Sequence, residues 1–133
     1  MDKNYDFSCY VIKYGVESIN GLIYLKDFLK DSHNILVPLV WNHQHWKPES
    51  VLGSAMLECR KDGIYMYGYL NNPECNELVK QLIIEKEVWI SPFVTGVKYK
   101  GKNIVGGTIR EVSLVIERID PLDCYRPVLK GER

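Results

Sequence analysis

Apolar and polar positions alternate along six stretches of the chain: YDFSCYVIKY, ILVPLVW, VLGSAMLEC, IYMYGYL, VWISPFVTGVKY and NIVGGTIREVSLVIE. Alternation of this kind, rich in Val, Ile and Tyr, predicts strands. Lys61-Asp62-Gly63 separates the third and fourth, and Lys100-Gly101-Lys102-Asn103 separates the last two. Both are short glycine-bearing links suited to hairpins, so strands adjacent in sequence are expected to pair antiparallel. The alternation breaks between the two hairpins. There Asn72-Pro73-Glu74 precedes CNELVKQLIIEK. Asn72 is expected to cap a helix, Pro73 to occupy its first turn, and Leu78, Val79, Leu82 and Ile83 to form one apolar stripe. A second helix is expected over Leu22 to Leu29, ahead of the His33-Asn34 loop.

These elements predict an α+β domain: a mainly antiparallel β-sheet curled into a barrel, with one or two helices flanking it. Glycines inside strand patterns, at Gly53, Gly68, Gly96, Gly106 and Gly107, suit the bulges and bends that such curvature requires. The length, 133 residues, is that of one domain with a substantial core, so residues 1–133 are read as a single unit with a frayed tail after about residue 126.

Charge narrows the function. Lys plus Arg and Asp plus Glu both number 17, and no basic block is present to hold a phosphate backbone, so no nucleic-acid partner is expected. A secretory leader and an apolar run long enough to cross a bilayer are both missing from the pattern, which gives the expectation of a soluble, cytosolic protein with no membrane partner. Cys9, Cys59, Cys75 and Cys124 are scattered, with no C-x-x-C pair, and read as small hydrophobes in a reducing compartment.

Two of the three histidines share Trp41-Asn42-His43-Gln44-His45-Trp46, at the end of an apolar strand. One reading is a general base delivered into a cleft by a strand end. Another is a metal site built on His43 and His45 with Cys59, and a third is a polar, aromatic surface rim. Ser91 lies in Trp89-Ile90-Ser91-Pro92-Phe93, where a proline inside a strand implies an edge or a bulge that could turn a hydroxyl toward a cleft. Glu111 shares a strand face with Ser113. It reads either as a solvated charge or as a carboxylate that accepts the second imidazole N–H.

Taken in order, three blocks resemble the prohead (procapsid) protease family of tailed bacteriophages, over about residues 37–121. Val37-Pro38-Leu39-Val40-Trp41-Asn42-His43, followed by Val51-Leu52-Gly53, is similar to the family's apolar strand that ends in the catalytic histidine. Trp89-Ile90-Ser91 is similar to the strand bearing its nucleophilic serine, and Arg110-Glu111-Val112-Ser113-Leu114-Val115 to its closing block. The resemblance implies a serine endopeptidase with Ser91 as nucleophile, His43 as base and Glu111 as the orienting acid. His45 is the alternative base. Glu111 stands where the related herpesvirus assembly protease carries a second histidine. The family implies no metal or cofactor, and a herpesvirus-protease-like fold. Its substrates would be the phage scaffolding protein and major capsid protein inside the assembling procapsid, in the host cytoplasm, with self-cleavage and a homodimer as further expectations. By analogy the oxyanion donors fall near Arg118 to Asp120. Pro92 departs from the pattern, since family members more often carry an apolar residue after the serine. Rival readings are a catalytically inactive assembly protein on the same fold and a β-barrel binding module that uses the nine tyrosines and three tryptophans.

Overall fold

The computed structural model describes residues 4–17, 21–25, 33–44, 47–116 and 125–131. Within them the chain forms β1 (Phe7–Lys13), β2 (Ile23–Tyr24), β3 (Leu36–Trp41), β4 (Val51–Arg60), β5 (Gly63–Leu70), α1 (Asn76–Ile84), β6 (Trp89–Lys100), β7 (Asn103–Val115) and β8 (Val128–Leu129). The two hairpins form where the links predict them. β4 pairs antiparallel with β5 across a Lys61-Asp62 turn, and β6 with β7 across Gly101-Lys102, where Gly101 takes a left-handed φ of 64°.

The sheet runs β2-β7-β3-β4-β5-β1-β8, with β6 on the opposite side of β7. Two features depart from the expected barrel. First, the sheet is mixed: β3 pairs parallel with the C-terminal half of β7 (Leu39 with Val112, Trp41 with Leu114), and β2 pairs parallel with its first residues. Second, the sheet is not closed. β1 bonds β5 on one side and β8 at Phe7–Ser8 on the other, while among the described residues the far side of β6 meets only an isolated bridge from Ile90 to Tyr125. No ladder joins β1 to β6, so the curl stops short of a barrel. The α+β class holds, as a mixed, open sheet with one helix among the described residues.

The helix starts later than the Asn72-Pro73 signal suggests. Residues Asn72 to Cys75 form a turn in which the Asn72 carbonyl accepts from the N–H groups of Cys75 and Asn76, while the Asn76 side chain accepts from the Asn72 N–H. Cys75 therefore stands at the N-cap position and Asn76 begins the helix. Val79 and Ile83 face the core, but Leu78 is exposed, so the buried stripe is narrower than its sequence. The second expected helix does not hold where it is described: Ile23–Tyr24 is extended, and residues 26–29 lie outside the described segments.

Phe7, Leu39, Leu57, Ile64, Met66, Ile90, Val112 and Leu114 are fully buried and form the centre of the core. Gly68 faces Phe7 across the β1–β5 pair, and the Phe7 ring occupies the space a Cβ there would need. Cys9 is among the buried residues, and burial pushes its thiol pKa up, which fits its reading as a hydrophobe. No helix of the described residues is long and apolar enough to cross a membrane.

Candidate active site

β7 holds the site together because its C-terminal half has a strand on each side. Val40 of β3 and Ser91 of β6 both register with Ser113. Side chains alternate along a strand, so Glu111 and Ser113 project from one face of β7, next to the end of β3 and the start of β6. Packed from both sides, residues 111–115 are all buried. Glu111 is 3% exposed, which removes the reading of a solvated charge.

β3 ends at Trp41, and the two residues after it take left-handed backbone conformations, with φ of 51° at Asn42 and 59° at His43. Asparagine adopts this region readily; histidine does so at some cost, and such conformations persist where surrounding bonds enforce them. Bonds from three successive N–H groups do so here, one of them to a hydroxyl that is itself held. The Asn42 N–H donates to the Leu114 carbonyl at 2.8 Å, extending the β3–β7 ladder, and the Gln44 N–H donates to the Trp41 carbonyl at 3.0 Å. The His43 N–H donates to Ser113 Oγ at 2.6 Å, and the Ser113 hydroxyl donates to the Val40 carbonyl at 3.1 Å. Gln44 is held in turn by the Ser50 hydroxyl, 3.0 Å from its Oε1.

This turn sets the His43 ring between two partners that lie far away in sequence. Its Nε2 is 3.0 Å from Ser91 Oγ, and its Nδ1 is 3.2 Å from Glu111 Oε1. An ionised carboxylate only accepts, so the proton on the ring belongs at Nδ1, and Nε2 is left to accept from the Ser91 hydroxyl. Serine, imidazole and buried carboxylate thus stand in the order that nucleophilic acyl transfer uses. The His43 side chain is 32% exposed, so the Ser91–His43 contact is open to an incoming molecule, whereas the carboxylate behind it is not.

Pro92 does not disrupt this arrangement, for a reason set by the period of the strand. The Ile90 N–H points away from β7, to the Tyr125 carbonyl at 2.6 Å. Two residues on, the nitrogen of Pro92 points the same way, so the missing N–H costs no bond to β7, and Ser91 keeps its register with Ser113. The proline has another consequence: the amide that follows the serine cannot serve as an oxyanion donor. Arg118 to Asp120, expected to supply those donors, lie outside the described residues.

His45, the alternative base, also lies outside them. Cys59, the third ligand of the metal reading, has a different histidine beside it: its backbone N–H donates to His33 Nδ1 at 3.0 Å. Among the described residues no three His, Cys, Asp or Glu side chains form a metal-ligating group. Two contributions went unread in the sequence. Ser113 reads in the sequence as a face-mate of Glu111 and a member of the closing block, yet it braces the turn that aims His43. The walls of the cleft beside Ser91 were missed altogether: with Pro92, a space of about 100 Å³ is lined by Val11, Ile12, Lys13, Val16, Tyr24 and Tyr125. Comparison with protein-family models, with curated proteins and with solved structures returned no match.

Proposed function

We propose that the protein is a serine-type endopeptidase. The observation that carries this reading is the unbroken contact from Ser91 Oγ through His43 to buried Glu111. His43 Nε2 takes the hydroxyl proton as Ser91 Oγ bonds to a peptide carbonyl carbon. The tetrahedral intermediate collapses, the C–N bond breaks, and the leaving amine receives that proton from the imidazolium. Water, deprotonated by His43, then attacks the ester, and Ser91 recovers its proton as the acyl group leaves as a carboxylic acid. Glu111 fixes the tautomer and stabilises the imidazolium, its charge kept effective by the low dielectric around it.

The narrower reading is a prohead protease that processes phage scaffolding and capsid proteins. Its support is that the three blocks carrying the resemblance, around His43, Ser91 and Glu111, are β3 with its following turn, β6 and β7, which meet side by side. The test is co-expression with phage scaffolding and major capsid proteins, comparing wild type with Ser91→Ala. Processing by the wild type alone is the expected result. Equal processing by both removes Ser91 as nucleophile and leaves the fold an assembly role.

A further inference from the structure

The cleft beside Ser91 has walls from β1, β2, β6 and the residue that bridges to β6, Tyr125. Ser91 is common to this cleft and to the contact with His43. A peptide whose carbonyl carbon stood over Ser91 Oγ would carry its side chain one Cα away, within reach of the opening. Size limits what enters: an apolar cavity of roughly 150 Å³ holds a benzene ring, and this space is smaller at about 100 Å³. Val16, which is exposed, and Pro92, which is half-buried, are the apolar wall residues that would meet a short aliphatic stem.

Among the described residues, Lys13 is the one charged residue on these walls. Its Nζ lies 4.9 Å from the centre of the Tyr10 ring and 5.9 Å from that of Tyr125. The Tyr10 ring is itself anchored, because its hydroxyl donates to Asp62 at 2.8 Å. Cation–π contacts of this kind position an ammonium without neutralising it. Among the described residues no carboxylate pairs with Lys13. A short slot next to a nucleophile, with an ammonium on its wall that no described carboxylate pairs, matches an aspartate or glutamate side chain: methylenes against Val16 and Pro92, carboxylate to Nζ.

We propose that this cleft receives the side chain of the residue whose carbonyl Ser91 attacks, and that Lys13 makes it select acidic residues there. The inference rests on the hydrolase reading above, and its test separates the two. Peptidyl diphenyl phosphonates differing only in that side chain (glutamate, glutamine or lysine type) are reacted with the protein. Ser91 Oγ bonds to phosphorus, phenol leaves, and the adduct is followed by intact mass. An alkyl fluorophosphonate with no such side chain reports the reactivity of Ser91 in the wild type.

The glutamate-type reagent is expected to react about 10-fold faster than the glutamine type, the scale of one partly exposed charge-assisted contact. In Lys13→Met the ratio falls to about one, and in Lys13→Glu the lysine type overtakes. If the fluorophosphonate labels Ser91 while the wild-type ratio is near one, or the ratio survives in Lys13→Met, the acidic selection is overturned and the hydrolase stands. If the fluorophosphonate leaves Ser91 unlabelled, both fall.

Discussion

Glu58 and Glu111 each meet a basic side chain, and their surroundings make them different devices. Glu58 lies on β4, two residues from Arg60, whose Nε is 2.6 Å from its Oε1; both side chains are partly exposed, at 25% and 36%. Glu111 is 3.2 Å from His43 Nδ1, a longer contact, but its side chain is 4% exposed and its partner is 68 residues away. The shorter pair belongs to a surface network: Arg60 also donates to the Tyr67 hydroxyl at 3.0 Å and stacks 3.6 Å from the Tyr65 ring centre. Partial burial lowers its pKa, but hydrogen bonds to Glu58, Tyr10 and Tyr67 together raise it further. Solvent screens such a pair, which is worth about 0.2–1 kcal/mol. The longer one has little solvent to screen it, so its carboxylate acts on the imidazole with more force. Burial, not distance, separates the catalytic candidate from the ornament.

The largest expected effect tests that contrast directly. Glu111→Gln keeps the shape but removes the charge, and is expected to lower kcat by about 10³–10⁴-fold with little change in KM, the scale seen when a triad acid becomes an amide. Glu58→Gln leaves both constants unchanged. Steady-state kinetics on one peptide substrate compares the two; equal losses would erase the distinction.

Next in size is the brace behind the histidine. Ser113→Ala removes the acceptor of the His43 N–H, together with the donor to the Val40 carbonyl. A stability loss of about 1–3 kcal/mol follows from the stranded buried groups, measurable by urea unfolding. Activity falls by about 10²-fold as the ring loses its aim, the penalty for roughly 1 Å of misplacement. Full activity in the folded variant would show that the left-handed turn holds His43 without Ser113.

The smallest effect on activity comes from the other end of the sheet. In Gly68→Ala the new methyl meets the Phe7 ring, and overpacking of this kind costs about 1–3 kcal/mol. Because β5 contributes no residue to the Ser91–His43–Glu111 contact, kcat of the folded fraction is unchanged. A parallel fall in kcat and stability would mean that the core and the site are coupled.

The same contrast explains what could be read from the sequence. The β4–β5 and β6–β7 hairpins were legible because a two-residue turn and a period of two are local signals. The parallel pairing of β3 with β7 was not, since it joins residues about seventy positions apart and leaves no mark in either strand's alternation. That pairing made the sheet mixed and placed Ser113 beneath the His43 turn. Closure of the sheet was over-read from curvature: glycines report bends, but only hydrogen bonds between β1 and β6 would make a barrel. The helix start was misplaced because Asn72-Pro73 signals a turn as strongly as it signals a first helical residue. Ser91, His43 and Glu111 came from a resemblance of blocks; periodicity alone left each with an ordinary structural explanation. Lys13 carried no signal, being one of seventeen basic residues until the fold set it beside Ser91.

The most direct test of the central claim is the rate at which an alkyl fluorophosphonate forms an adduct at Ser91, mapped by peptide mass, in wild type and in His43→Ala. A serine activated by its neighbour is expected to be labelled at Ser91 alone, and the adduct to form at least about 10³-fold more slowly without the imidazole. Labelling at another serine, or an equal rate in both proteins, would contradict it.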